Sequence, residues 1–291
     1  MTRFALAAAA ALVATPALAD MSVSIPFAAE IGGKPISCAE TYAGLGSTAA
    51  EAQVVDFRLF VSEAALVKAD GSLQTLALEQ DGQWQLDTLA LLDFEDASGA
   101  CANGTAGVNT TLRGTVPDGE YSGLVFTIGV PFAQNHGDPT VSAAPLNTTA
   151  MFWNWQGGYK FVRIDLVPTA MMGMTEAAGS DAGAGHGAAK GWFLHLGSTM
   201  CEAASKTEAP KACANENRMA IRLDGFDLSA NTVVIDPAPV LAEADLTVNA
   251  PETSPGCMSF LKDADCMTVM GKLGLPYMGV PAGTQTLVSM R

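Results

Sequence analysis

The chain has 291 residues and is 49% hydrophobic, so it can bury a substantial core and makes at most two domains of ordinary size. Its 30 acidic against 15 basic residues leave a formal net charge of -15, which repels phosphate backbones and anionic lipid and argues against nucleic-acid binding. With 29 Gly, 15 Pro and 6 Cys, short strands and loops are favoured over a helical bundle.

Residues 1–19 join Arg3 to an apolar stretch from Phe4 through Val13 and end in Ala17-Leu18-Ala19. That is the pattern of a cleaved signal peptide; a membrane anchor needs about 20 apolar residues, and no later stretch has them. The expectation is an exported, periplasmic or cell-surface protein whose residues 20–291 form one domain.

Period-two alternation then recurs along the chain. Val55, Phe57, Leu59 and Val61 alternate with Asp56, Arg58 and Phe60; Leu124, Phe126, Ile128 and Val130 repeat the pattern, as do Val162, Ile164 and Leu166, then Leu194 and Leu196, then Met219, Ile221 and Leu223. Asp70-Gly71, Asp81-Gly82 and Pro117-Asp118-Gly119 supply turns between them. The fold class read from this is all-β, a β-sandwich or barrel with long loops and a disulfide-clipped C-terminal extension. Ala49–Ala52 and Cys257–Leu275 are read as short helical pieces. The stretch from Gly173 to Gly191, rich in Gly and Ala and holding His186, reads as a long surface loop joining neighbouring strands, with Met171, Met172 and Met174 as weak soft-ligand candidates beside it.

Export changes the meaning of Cys38, Cys101, Cys201, Cys213, Cys257 and Cys266. An even number in an oxidising compartment points to disulfides, and the absence of C-x-x-C weakens redox-motif and zinc-ribbon readings. The two close spacings pair Cys201 with Cys213 and Cys257 with Cys266, leaving Cys38 for Cys101.

No G-x-S-x-G elbow, P-loop, dinucleotide fingerprint or H-E-x-x-H occurs, so nothing marks the chain as an enzyme. Three local groups hold chemistry. His136 lies in a loop after Pro131, with Asp138 as a partner that would orient its imidazole; the bland reading is an ordinary turn histidine. Trp153 and Trp155, if extended, put two indoles on one face, which is usually packing but also offers a side chain that can lose an electron. His195 alternates with Leu194 and Leu196 on a strand and is either a satisfied core histidine or a rigid metal ligand. Together His136 and His195 supply two imidazoles, a donor type that suits copper.

Taken in order, Cys38-Ala-Glu-Thr-Tyr, Leu92-Asp-Phe-Glu-Asp with Cys101-Ala-Asn-Gly-Thr, Asn135-His136 leading to Ala144-Pro-Leu-Asn, Phe152-Trp-Asn-Trp-Gln-Gly-Gly-Tyr-Lys-Phe, His195-Leu-Gly-Ser-Thr-Met-Cys201, Cys213-Ala-Asn-Glu-Asn-Arg and Pro255-Gly-Cys257-Met-Ser with Asp265-Cys266 form a series. The series resembles the MbnP-like proteins, also called metallo-mystery pair four-Cys motif proteins, over nearly the whole chain after residue 19. The resemblance implies an exported copper-associated protein, with Cu(I) the expected state. It also implies a partner, a di-haem cytochrome c peroxidase-like enzyme of the MbnH type that oxidises a tryptophan to kynurenine. Carried onto this chain, Trp153 and Trp155 are both candidates for oxidation, the opened ring offering nitrogen or oxygen to copper, and His136 and His195 are candidate ligands. The chain is then the substrate of oxidation and not the catalyst, in a role of copper acquisition or homeostasis. The competing reading is a secreted, metal-free carbohydrate-binding or adhesion sandwich that uses its aromatic residues for stacking.

Overall fold

Alternation in the first strand, Asp20–Ile31, buries Val23, Ile25, Phe27 and Ala29 on one face and sets the register of everything beside it. It pairs antiparallel with Thr111–Pro117, Ile25 opposite Leu112, and parallel with Val233–Ile235, Phe27 opposite Val233. Val288–Met290, Ala77–Leu78 and Lys34–Pro35 complete a six-stranded sheet. The computed structural model from which this architecture is taken describes residues 19–172, 191–205 and 207–291. The expectations for residues 1–18 and for the 173–190 stretch with His186 lie outside the described residues, and among the described ones no helix is long and apolar enough to cross a membrane.

The second sheet is organised by one 19-residue strand, Ala50–Lys68. Along its length it takes Val162–Pro168, Tyr121–Ile128, Leu89–Asp93, Leu73–Thr75 and Thr41–Leu45 as antiparallel neighbours, and Trp192–Leu196 and Met219–Asp224 extend the sheet on either side. The two sheets face each other, Phe27 of the first meeting Phe126 of the second edge-on with ring centroids 5.7 Å apart. Phe57, Leu59, Val61, Ile164, Leu194 and Leu196 fill the space between them. Each large apolar side chain buried this way contributes about 1.5–3 kcal/mol.

The alternation at 55–61 needs one correction. Asp165 lies opposite Asp56 while Leu166 lies opposite Val54, so Val55 is the extra residue of a bulge and is only half-buried; Val54 and Ala52 occupy the core face instead. The expected helix at Ala49–Ala52 does not form. Leu45 pairs with Ala50 and Tyr42 with Ala52, and pairing with a neighbouring strand overrides the helical preference of alanine. In Cys257–Leu275 the helical content is confined to two tight 3-10 turns, Ala264–Cys266 and Met270–Leu273.

The Trp192–Leu196 edge of the second sheet is not left open. Cys257 bridges to Leu194, its carbonyl accepts the His195 amide at 2.9 Å, and Ser259 Oγ donates to the His195 carbonyl at 2.9 Å. Gly256 permits this approach, because at its φ of +67° a side chain is strained and a Cβ would lie 2.4 Å from the Phe193 backbone. The C-terminal segment thus covers the strand, clipped by Cys257–Cys266. Cys38–Cys101 ties the Lys34–Thr41 region to the 94–105 loop, and Cys201–Cys213 joins directly opposed residues of a two-stranded ribbon, Thr199–Cys201 and Cys213–Asn215.

Candidate metal centre

Alternation in Trp192–Leu196 sends Trp192, Leu194 and Leu196 into the core and turns Phe193 and His195 to the opposite face. The Phe193 and His195 rings stack, 5.8 Å between centroids and 8° between planes. In the neighbouring strand Arg163 lies opposite His195, and Asp165, two residues on, accepts a 2.6 Å bond from His195 Nε2. Asp165 also receives Arg163 Nε at 2.9 Å and Nη2 at 2.8 Å. Burial alone would raise the Asp165 carboxyl, but the His195 and Arg163 contacts override it and hold the group below the usual carboxylate range. Burial also pushes the His195 imidazole down to about 4, against the pull of Asp165.

These facts fix the tautomer. An ionised carboxylate only accepts, so the neutral imidazole carries its proton on Nε2 and its lone pair on Nδ1. His195 is 5% exposed, and Nδ1 has no hydrogen-bond partner among the described residues. A buried acceptor left bare in this way is costly unless something else uses it. A histidine held by a carboxylate through one nitrogen and free at the other is the standard preparation of a metal ligand.

Trp153 lies beside this imidazole, with 6.5 Å between ring centroids, and 5.4 Å from the ring of Phe260. Gly197 makes room for the indole: a Cβ there would stand 2.5 Å from Trp153 Cζ3 and 2.9 Å from Cη2. Trp153 is half-buried and Phe260 is exposed.

Trp155 is situated differently. Only Phe152–Asn154 is strand, paired with Gly158–Tyr159, and Trp155 opens the turn between them. The expected pair of indoles on one strand face is therefore not formed, because the chain reverses within three residues. The Trp155 carbonyl instead bonds His136 Nδ1 at 3.0 Å. A carbonyl only accepts, so His136 is protonated on Nδ1, and its Nε2 accepts from Asn135 Nδ2 at 3.2 Å and lies 3.6 Å from Cys213 Sγ. Burial holds the His136 imidazole below its ordinary value.

Asp138 does not orient His136 as expected; its carboxylate accepts from the amide and hydroxyl of Thr140, an Asx turn that uses it locally. Asn135 has a positioning role instead. Its Oδ1 accepts the Tyr159 amide at 2.9 Å and its Nδ2 reaches Ser198 Oγ at 3.3 Å, so the His136 turn is tied to the Phe152–Tyr159 hairpin and to the chain just beyond His195.

Sequence reasoning missed Asp165. A signal was present: Arg163 and Asp165 alternate with Val162, Ile164 and Leu166, and a strand covered on both faces must pair such charges. It also separated His136 from Cys201 and Cys213, whose ligand atoms all lie within 4.8 Å of one another. Met171, read beside a surface loop, is buried, while Met172 is exposed.

The MbnP family profile matches residues 20–259. The solved structure of MbnP from Methylosinus trichosporium superposes with a TM-score of 0.78 at 32% identity, covering 94% of this chain and 99% of that one. No curated protein sequence matches. With most of its length matched to the profile and nearly all of it to that structure, the chain belongs to the MbnP family.

Proposed function

We propose that this protein is an exported copper-binding protein that a di-haem cytochrome c peroxidase-like partner of the MbnH type converts, by oxidising Trp153 to kynurenine, into a Cu(I) carrier for copper acquisition or homeostasis. The observation that carries the reading is the bare, buried Nδ1 of His195, whose other nitrogen is committed to Asp165, beside the ring of Trp153. His136, on the Trp155 side of the same hairpin, is the second imidazole. Residues 20–291 act as one domain, since the first strand pairs with Val233–Ile235 and Cys257 bridges to Leu194 at the edge of the second sheet.

Each group has a definable role. Asp165 holds His195 in the tautomer that exposes Nδ1. Neutrality of both imidazoles keeps them able to donate a lone pair without first losing a proton. Half-burial of Trp153 against exposed Phe260 leaves the indole within reach of an external oxidant. Two peroxides are the oxidant and are reduced to two waters: the indole C2–C3 bond breaks, each carbon gains an oxygen, and hydrolysis releases C2 as formate. The aryl amine and ketone left behind are donors that an indole lacks. Bound copper would supply a soft cation that imidazole and amine nitrogens accommodate. Three disulfides are consistent with an oxidising compartment.

The test is co-expression with the di-haem partner, followed by peptide mass analysis and Cu(I) titration. The Trp153 peptide is expected to gain one oxygen and lose one carbon, and His195→Ala to lose high-affinity Cu(I). An unmodified Trp153 peptide, or His195→Ala binding Cu(I) as the parent does, overturns the reading.

A further inference from the structure

Among the described residues one cluster brings three His, Cys, Asp or Glu ligand atoms together: His136, Cys201 and Cys213, all within 4.8 Å of one another. In the folded protein the two sulfurs are joined, and a disulfide sulfur is a far poorer donor than a thiolate. We infer that His136, Cys201 and Cys213 form a reduction-gated site for a soft cation, closed while the bridge is intact and open to Cu(I) once a dithiol reductant has cleaved it.

Three features support this. First, His136 is prepared on the correct side. Its Nδ1–H is taken by the Trp155 carbonyl, so the lone pair is on Nε2, the nitrogen 3.6 Å from Cys213 Sγ, where a metal would replace the 3.2 Å bond from Asn135 Nδ2. Metal bonds of about 2.0–2.3 Å to nitrogen and sulfur need donor atoms at spacings of this order, so small side-chain adjustments suffice.

Second, the ribbon does not depend on the bridge alone for its shape. Cys201 and Cys213 are directly opposed, and the frame around them is held by other bonds: Asn215 Nδ2 to Thr199 Oγ1 at 3.1 Å, Glu202 N to Ala212 O at 2.8 Å, Lys211 N to Glu202 O at 3.0 Å and Gln156 Nε2 to Cys201 O at 3.0 Å. Breaking the S–S bond therefore leaves two thiols side by side.

Third, access is selective. Cys213 is half-exposed, whereas both cysteines of each other bridge are buried. Exchange begins where a thiolate can reach sulfur. The reductant's thiolate attacks one sulfur of the bridge, its second thiol resolves the mixed disulfide, and the products are two cysteine thiols and the oxidised reductant. Cu(I) then displaces the two thiol protons to solvent.

The inference rests on the copper reading and extends it to the form of the protein in which His136 is not engaged by the Trp153–His195 copper, giving His136 sulfur partners there and using neither Trp153 nor His195. Its test employs the full chain prepared without the haem partner, so that Trp153 is unmodified. Anaerobic Cu(I) competition and X-ray absorption are measured before and after mild dithiothreitol treatment, with alkylation mapping of the freed thiols. Treated parent and treated His195→Ala are expected to hold one more Cu(I) than their untreated forms, with sulfur in the copper shell. The extra copper is expected to vanish in Cys201→Ser/Cys213→Ser and in reduced parent alkylated before loading, and to bind at least about tenfold more weakly in His136→Ala. The alkylated parent keeps the test independent of whether the double variant folds. Equal copper before and after reduction, an extra copper that survives alkylation, or unchanged affinity in His136→Ala overturns the inference. Failure of the kynurenine reading would appear instead at the Trp153 peptide and in His195→Ala.

Discussion

Asp165 decides what His195 can do. Replacing it with Asn keeps the shape but removes the anion that fixes the imidazole tautomer and neutralises Arg163. Breaking a buried ion pair from one side costs about 3–5 kcal/mol, and loss of a carboxylate behind a metal-binding histidine weakens binding about 10- to 100-fold. Asp165→Asn is therefore expected to lower stability in urea denaturation and Cu(I) affinity in competition titrations, while Asp138→Asn, whose carboxylate serves only Thr140 among the described residues, leaves Cu(I) affinity unchanged. At the same scale, Gly197 is where the indole fits. Gly197→Ala puts a methyl into Trp153 and near the Tyr159 carbonyl, and overpacking of this kind costs about 1–3 kcal/mol. The expected result is shifted tryptophan fluorescence and a slower oxidation of Trp153 by the partner; unchanged values for both would show that the indole does not sit against residue 197.

The strands combine these residues into a longer array. Across four neighbouring strands, His195 bonds Asp165, Arg163 joins Asp165 to Asp56 at 3.0 Å, Arg58 pairs with Asp56 through both oxygens, and Arg58 lies opposite Asp93 and 3.7 Å from Glu95. Antiparallel register creates this row, since residues of like parity on adjacent strands share a face. Asp93 belongs to this row, and burial pushes it up to about 7, opposed by the Thr105 hydroxyl and Arg58. In the unfolded chain it titrates near the ordinary carboxylate value of about 3.9. A carboxyl raised on folding holds its proton more tightly in the native state. Its contribution is thus fully present below about pH 4 and is lost as pH rises through 7. Denaturation at pH 5 and pH 8 is expected to show a smaller loss of stability for Asp93→Asn than for the parent protein; equal losses would remove Asp93 as the cause.

For the whole molecule, the C-terminal segment closes the edge of the second sheet beside His195. Without it, the His195 amide and carbonyl would lose their Cys257 and Ser259 partners and open to water. Cys257–Cys266 closes a loop of sequence separation 9, a closure worth about 2–3 kcal/mol in the chain-entropy account. Cys257→Ser/Cys266→Ser is expected to lose about that much stability and to speed amide exchange at His195, whose N–H bonds the Cys257 carbonyl. Unchanged protection at that amide would mean that the cover holds without its clip.

Much of the fold was legible because the alternating runs carry their own evidence: a strand with one face on a core repeats every second residue whatever its partners are. The same holds for the two short cysteine spacings, where little chain separates the sulfurs. Of the candidate site, His195 and Trp153 could be picked out by residue type and local pattern, and His136 by its rarity. Their surroundings could not. Asp165 lies 30 residues from His195, and only strand register brings them together. The bulge at Val55, the turn that parts Trp153 from Trp155, and the seating of His136 against Cys213 likewise arise from pairing between distant segments. Periodicity and spacing are properties of neighbouring residues, so the chain itself determined where strands and bridges form. Which charges meet, which nitrogen is left bare and which face is covered depend on long-range register, and the tertiary structure alone decided them.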